Sequence, residues 1–276
     1  MSLTVNTNLS SIAAANALNV TQGKLSETLS RISSGLRVTK AADDAAGQAV
    51  AQNLRALVRS GRQAARNSND GISVIQIAEA ASREVLNILD RMRELAVQSA
   101  SETLADDERD YIDDEFDVLA GEVERIAQAT EFNDIALSDG TKSALIVQVG
   151  VTSGTESEES ITLGELTASN LGVNTAAIDL SSATTAQSAI DDIDNAIDTV
   201  NSIRADYGSS QNRVESAIAN MATYVESLTA AASQILDADY AHETSEMTRL
   251  QVMQKAGVAA LGQAKSMNQS VLTLLA

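Results

Sequence analysis

The chain has 276 residues, a formal net charge of −19, no proline, no cysteine, no tryptophan and only 2% aromatic residues. That composition excludes disulfides, thiolate metal sites and cysteine nucleophiles, and a phosphate backbone would be repelled, which argues against nucleic acid. A core must be built from Ala, Leu, Ile and Val, which suits thin helix-to-helix seams, and without proline nothing interrupts long helices.

The charge is unevenly placed. Residues 1–30 carry only Lys24 and Glu27, and residues 250–276 only Lys255 and Lys265, so the middle is built for water and the two ends are not. Residues 1–20 lack the basic and apolar regions of a secretory signal, and no apolar run approaches the length of a membrane span. The expectation is a chain without a Sec leader that does not cross a membrane.

In chain order, Val5, Leu9, Ile12, Leu18, Leu25, Leu29 and Ile32 stand at helical spacing and predict a first helix ending at Gly35, a residue suited to a left-handed C-cap. Residues 36–43 read as a connector, with Asp43 as the N-cap of the second helix. From Ala45 to about Ala100 one long helix is expected, clearest where Ile75, Ala78, Ser82, Val85, Leu89, Met92 and Ala96 keep a three-four rhythm. Gly47, Gly61 and Gly71 weaken its first half and predict a bend or close packing there. Thr103 with Asp106 reads as a capping box opening a third helix, antiparallel to the second, with Ile112, Phe116, Leu119, Val123 and Ile126 on its seam.

Past Phe132 the period changes. Leu145, Val147, Val149 and Val151 alternate as a strand, a turn comes at Thr152–Gly154, and Ile161 and Leu163 mark the return of a β-hairpin. Residues 164–185 read as loop. The longest seam comes next: of the fourteen positions Ile190, Ile193, Ile197, Val200, Arg204, Tyr207, Gln211, Val214, Ile218, Met221, Val225, Leu228, Ala232 and Ile235, twelve are apolar. It is the spine of a bundle, with Arg204 and Gln211 as its two polar breaks. A last amphipathic segment carries Met247, Leu250, Met253, Leu261, Val271, Leu274 and Leu275. The fold class is mainly α: an elongated antiparallel coiled-coil bundle with a small β-hairpin, plus paired terminal helices. Each end leaves an apolar stripe that must bind the other end, other copies or a membrane.

Sites for chemistry are scarce. His242 is the only histidine and reads as a surface or interface residue. Asp43–Asp44 and Asp191–Asp192 point to different faces of a helix, and Asp191, Asp192, Asp194 and Asp198 lack the spacing and glycine of a calcium loop. No phosphate loop or nucleophile elbow stands in a supporting context. The expectation is a protein that is not an enzyme and has no cofactor and no metal.

Several motifs together carry a resemblance. Val5-Asn6-Thr7-Asn8, Arg31-Ile32-Ser33-Ser34-Gly35-Leu36-Arg37, Ala42-Asp43-Asp44-Ala45-Ala46-Gly47, Asn67-Ser68-Asn69-Asp70-Gly71-Ile72-Ser73 and Arg91-Met92-Arg93-Glu94-Leu95-Ala96-Val97-Gln98 closely resemble the N-terminal region of bacterial flagellins. Gln211-Asn212-Arg213, Ile235-Leu236-Asp237-Ala238-Asp239-Tyr240-Ala241 and Val271-Leu272-Thr273-Leu274-Leu275 resemble their C-terminal region. Val38-Thr39 stands where Ile-Asn is usual, and Ser266–Ser270 lacks a common proline.

The resemblance implies a minimal flagellin of inner layers: residues 1–43 and 237–276 as the two parts of the assembly domain (D0), 44–140 and 186–236 as the helices of the next layer (D1), and 141–185 as hairpin and short variable region. It implies polymerisation into the flagellar filament for swimming, with export unfolded through the type III apparatus and a location outside the cell. Itself would be the main partner, with the flagellar cap, hook-junction proteins and an export chaperone. The resemblance also places an innate-receptor epitope of vertebrates at Arg91, Leu95 and Glu115. The alternatives are a hook-filament junction protein, which shares the terminal heptads, and an amphipathic membrane-binding protein, which the shortage of Lys and Arg on the end helices disfavours.

Overall fold

The computed structural model describes the backbone of residues 7–275 and the side chains of residues 7–266. Its helices are α1 (Leu9–Ser34), α2 (Ala45–Ser99), α3 (Asp106–Ala129), α4 (Ala183–Leu236) and α5 (Tyr240–Leu275). Two antiparallel ribbons separate α3 from α4: β1 (Glu131–Phe132) with β2 (Ile135–Ala136), and β3 (Ala144–Gln148) with β4 (Glu158–Thr162). The chain forms two compact units, Leu57–Glu226 and the combination of Met1–Ala56 with Ser227–Ala276.

In the first of these units, the three-four seams meet. Val85, Leu89 and Met92 of α2, Ile112, Phe116 and Val123 of α3, and Ile193 and Val200 of α4 are buried in one cluster, with Leu119, Ile126 and Ile197 half-buried against it. Along α4 none of the fourteen seam positions is exposed, Val225 and Leu228 included, so a single period of 3.5 residues predicts burial over the whole helix. Arg204 reaches Glu79 of α2 at 3.0 Å and fixes the register of the two helices, whereas among the described residues Gln211 bonds only Glu215, one turn along its own helix.

The third layer changes identity along the unit. α3 has 24 residues against 55 in α2, so it covers only the C-terminal part of its partner. The hairpin takes its place: Val147, Val149, Ile161 and Leu163 pack on Val74, Ile75 and Ala78 of α2 and on Tyr207 and Val214 of α4, with Ile218 beside them. Helix α2 runs unbroken through Gly61 and Gly71. They serve close packing, since a Cβ on Gly71 would meet Val147 at 3.2 Å and one on Gly61 would meet Val225 at 2.6 Å.

Strand β3 stops at Gln148, three residues short of the sequence expectation. There the N–H groups of Val149 and Gly150 both donate to the Ser157 carbonyl, at 2.8 and 2.9 Å, which sets two residues against one as in a β-bulge. The smaller ribbon turns at Asn133 and Asp134, both with positive φ, the backbone that a two-residue hairpin demands.

Two helix caps differ from expectation. The α2 N-cap is Asp44, whose carboxylate accepts from the Gly47 N–H at 2.8 Å; Asp43 instead accepts from Thr39 and Lys40 and closes the connector before it. Helix α3 begins after Ala105, and only half a capping box is present, the Glu108 carboxylate accepting from the Ala105 N–H at 3.2 Å. Thr103 pairs with the Ser101 hydroxyl and caps nothing. Asp44→Ala is expected to destabilise the fold by about 1 kcal/mol in denaturant unfolding, while Thr103→Ala stays within about 0.5 kcal/mol.

The 164–182 segment is irregular, as expected, but it is core rather than surface loop. Leu166, Leu171, Val173, Ile178 and Leu180 are buried in the α2–α3–α4 cluster. An irregular backbone can be buried only if its polar groups find partners. Here Ala168 N–H donates to Glu124 and Leu180 N–H to Asp113, both on α3, and Ser99 Oγ of α2 donates to the Leu180 carbonyl at 2.6 Å.

Candidate assembly site

The second unit holds the uncharged chain ends. Asn8 starts α1 by accepting from the Ser11 N–H at 2.9 Å, and Gly35 ends it with φ 69°, donating its N–H to the Arg31 carbonyl. Asp239 starts α5, accepting from the N–H groups of Ala241 and His242 at 2.9 and 3.2 Å. The two helices run antiparallel side by side. Asn8 Nδ2 donates to the Ala264 carbonyl at 2.9 Å, Leu18 packs at Gly257, Gln22 bonds Gln254, and Arg31 meets the buried Glu243 at 3.4 Å.

Their base is clasped. Arg37 N–H donates to the Leu236 carbonyl at 2.6 Å, Ala238 N–H returns to the Gly35 carbonyl at 2.9 Å, and the Arg37 guanidinium takes the Ile235 carbonyl at 2.7 Å. Val38, Ala51 and Leu236 form a small apolar knot under this clasp. Hydrogen bonds from the Lys40 N–H, the Thr39 hydroxyl and the Thr39 N–H hold the Asp43 carboxyl below its ordinary pKa of 3.8. A depressed carboxylate stabilises the fold above its unfolded pKa and loses that effect as the pH falls through the folded value. The protection of the Thr39 and Lys40 amides, taken relative to the intrinsic exchange rate at each pH, should therefore hold at pH 7 and fall only below about pH 4.

Only part of each apolar stripe is spent on the α1–α5 contact. Leu25 and Leu250 are buried, with Thr21 and Thr28 beside them, and Leu18, Ile32, Met247 and Leu261 are half-buried. Leu9 is 70% exposed, Ile12, Leu29 and Met253 about half, and Val20, Val252 and Val258 lie open with them. Val5, Val271, Leu274 and Leu275 lie outside the residues whose side chains are described. On the flank of this face Arg249 Nε donates to Glu246 at 2.9 Å, and that bond lowers the Glu246 pKa. A pair of slim helices with one apolar face covered and another open is suited to docking further helices. Among the described residues no helix is long and apolar enough to cross a membrane.

Of the three epitope positions, Arg91 and Glu115 form an exposed ion pair at 2.8 Å across α2 and α3, and Leu95 lies beneath it, 1% exposed. Asp194 is held by Arg93 at 2.5 Å, which lowers its pKa, while Asp191, Asp192 and Asp198 face solvent. His242 is exposed near the start of α5. Among the described residues no group of three His, Asp or Glu side chains is arranged to hold a metal ion.

Sequence reading gave no role to Arg109, which is buried at the α2–α3 turn. Its guanidinium donates to the carbonyls of Ser99 at 3.0 Å and Ser101 at 2.9 Å and pairs with Asp106 at 3.0 Å. Its location three residues after a helix start is a weak signal, since the same position usually holds a solvated charge. Arg109→Ala leaves buried carbonyls unpaired and should cost about 2 kcal/mol in denaturant unfolding, with Arg109→Lys recovering only part.

Comparison with known proteins gives the family. The model of the bacterial flagellin N-terminal helical region matches residues 5–143, and that of the bacterial flagellin C-terminal helical region matches residues 190–275. A flagellin of Halalkalibacterium halodurans is 42% identical over 98% of this chain and 99% of its own length. A flagellar filament 30.7 kDa core protein of Treponema maltophilum is 36% identical and a flagellin of Bacillus subtilis 35% identical, each over 98% of this chain and 99% of its own. A crystal structure of Bacillus cereus flagellin matches 56% of this chain and 88% of its own at 31% identity, with a TM-score of 0.49. The terminal pairing, the seams and these matches at nearly full length agree, and the chain belongs to the bacterial flagellins, a family of structural filament proteins and not of enzymes.

Proposed function

We propose that the chain is the subunit of a homopolymeric flagellar filament and that it polymerises through the open apolar face of α1 and α5. The observation that carries this reading is the burial of Leu25 and Leu250 in the helix pair while Leu9, Ile12, Leu29 and Met253 remain open around them. Covering a large side chain of this kind stabilises an assembly by about 1.5–3 kcal/mol each, and identical copies present identical faces to one another. Residues 1–43 and 237–276 act as the assembly domain, and 44–236 as the layer that supports it. The filament works outside the cell, reached by type III export. By the family resemblance, the cap, the hook-junction proteins and an export chaperone are its further partners. A vertebrate receptor reaching the α2–α3 patch would meet Arg91 and Glu115 first, since Leu95 lies beneath them.

Leu9→Asp with Met253→Asp tests the reading on residues that the isolated chain does not bury. The doubly substituted chain should keep wild-type helicity and melting yet fail to elongate filament seeds at concentrations at least ten-fold above those that suffice for the wild type. Unchanged elongation would refute it.

A further inference from the structure

A second pair of surfaces, both within the unit Leu57–Glu226, is matched in charge and spacing. On α2, Arg59, Arg62 and Arg66 are exposed at intervals of three and four residues, so they share one face of the helix. Among the described residues none of the three has a carboxylate within ion-pair distance; Arg66 bonds only the amide of Gln63 on its own helix. In a chain of net charge −19 an unneutralised arginine row is an outlier. On α3, Asp107, Asp110, Asp114 and Asp117 keep intervals of three, four and three, and none of them has a basic partner. Tyr111 and Val118 stand on the same face, 74% and 72% exposed.

The two rows cannot reach each other within one molecule. The Arg91–Glu115 ion pair sets the level of α3 against α2, and Arg62 lies 29 residues before Arg91 on the same unbroken helix. At 1.5 Å per residue the separation along the axis is about 44 Å. The rows have the same three-four repeat, about 10 Å for each seven residues, so either helix can lay its charges opposite the other's in register. Arginine stems can also lie over the Tyr111 ring and Val118 with their charged heads at the flanking aspartates.

We propose that the Arg59–Arg62–Arg66 row of one copy docks on the Asp107–Asp110–Asp114–Asp117 row of a second copy, a lateral or axial contact of the polymer that is separate from the α1–α5 face. This rests on the filament reading above. The contact is electrostatic, so it adds specificity and register to a polymer whose cohesion comes from the apolar face.

Charge reversal tests it in the full chain, with wild-type elongation of sonicated seeds as the control. Arg59→Glu/Arg62→Glu and, separately, Asp110→Lys/Asp114→Lys should each raise the concentration needed for elongation at least ten-fold, with far-ultraviolet circular dichroism unchanged. An equimolar mixture of the two variants should restore assembly, because each copy then finds an opposite row on its neighbour. Either variant elongating like wild type, or a mixture no better than its components, overturns the proposal; the latter would mean that the arginines serve another anionic partner. The chain has no cysteine, so Arg62→Cys/Asp114→Cys gives an independent readout. At about 44 Å apart the thiols can bridge only between copies. An oxidised, concentrated sample should show a ladder of multimers on a denaturing gel, and a monomer band alone counts against the contact. The ladder does not require long filaments, so failure of wild type to elongate sinks the filament reading while the ladder still decides the contact.

Discussion

Phe116→Ala is expected to lower the stability of the fold by about 3–5 kcal/mol, the usual cost of emptying a fully buried aromatic site. Phe116 is the largest buried side chain of α3, 0% exposed, in the cluster that joins α2, α3, α4 and the 166–180 segment. The cluster around it contains no second aromatic side chain to fill the gap. Denaturant unfolding tracked by circular dichroism measures the effect, and Val118→Ala on the open face of the same helix, 72% exposed, should change stability by less than about 0.5 kcal/mol. A loss below about 1 kcal/mol for Phe116→Ala would mean that the three seams do not meet as described.

Removal of residues 240–276 should abolish filament formation and leave a soluble, largely helical chain. α1 then loses the helix against which Leu25 and Thr28 are buried, and only the clasp of Gly35 and Arg37 with Ile235, Leu236 and Ala238 stays at its base. A 26-residue helix with one stripe uncovered and no partner is marginal in water, so α1 should lose amide protection as well. The unit Leu57–Glu226 has its own core and should retain its melting transition. Filaments from the truncated chain in negative-stain microscopy would contradict the role given to α5.

How much of this was written legibly in the sequence depends on whether a residue belongs to a period. The α4 seam, the α3 seam and the Gly35 cap can be read from spacing alone, because each repeats one physical requirement many times or needs a backbone that glycine adopts freely. The buried 166–180 segment has no period, and its burial depends on Glu124 and Asp113, carboxylates that look like solvated charges until α3 is placed beside it. Asp43 and Asp44 are chemically identical neighbours, so composition does not say which one caps α2; the turn at Thr39–Lys40 decides it by claiming Asp43. On α1, Leu25 and Leu29 share a stripe in sequence, yet one is buried and the other 47% exposed. Pattern shows that a face is apolar, while the angle at which the neighbouring helix sits decides which half of it stays open. Arg109 is the counterpart among charges: a basic residue in an acidic helix reads as surface, and its burial comes from the two carbonyls that α2 leaves at its end.

The central claim is that identical copies cover the open face of the α1–α5 pair. Cryo-electron microscopy of filaments grown from the purified full chain tests it most directly. The account predicts an inner layer in which Leu9, Ile12, Leu29 and Met253, exposed in the single chain, are each covered by α1 or α5 of neighbouring copies. Filaments in which these side chains still face solvent, or are covered by the α2–α4 bundle instead, would contradict it.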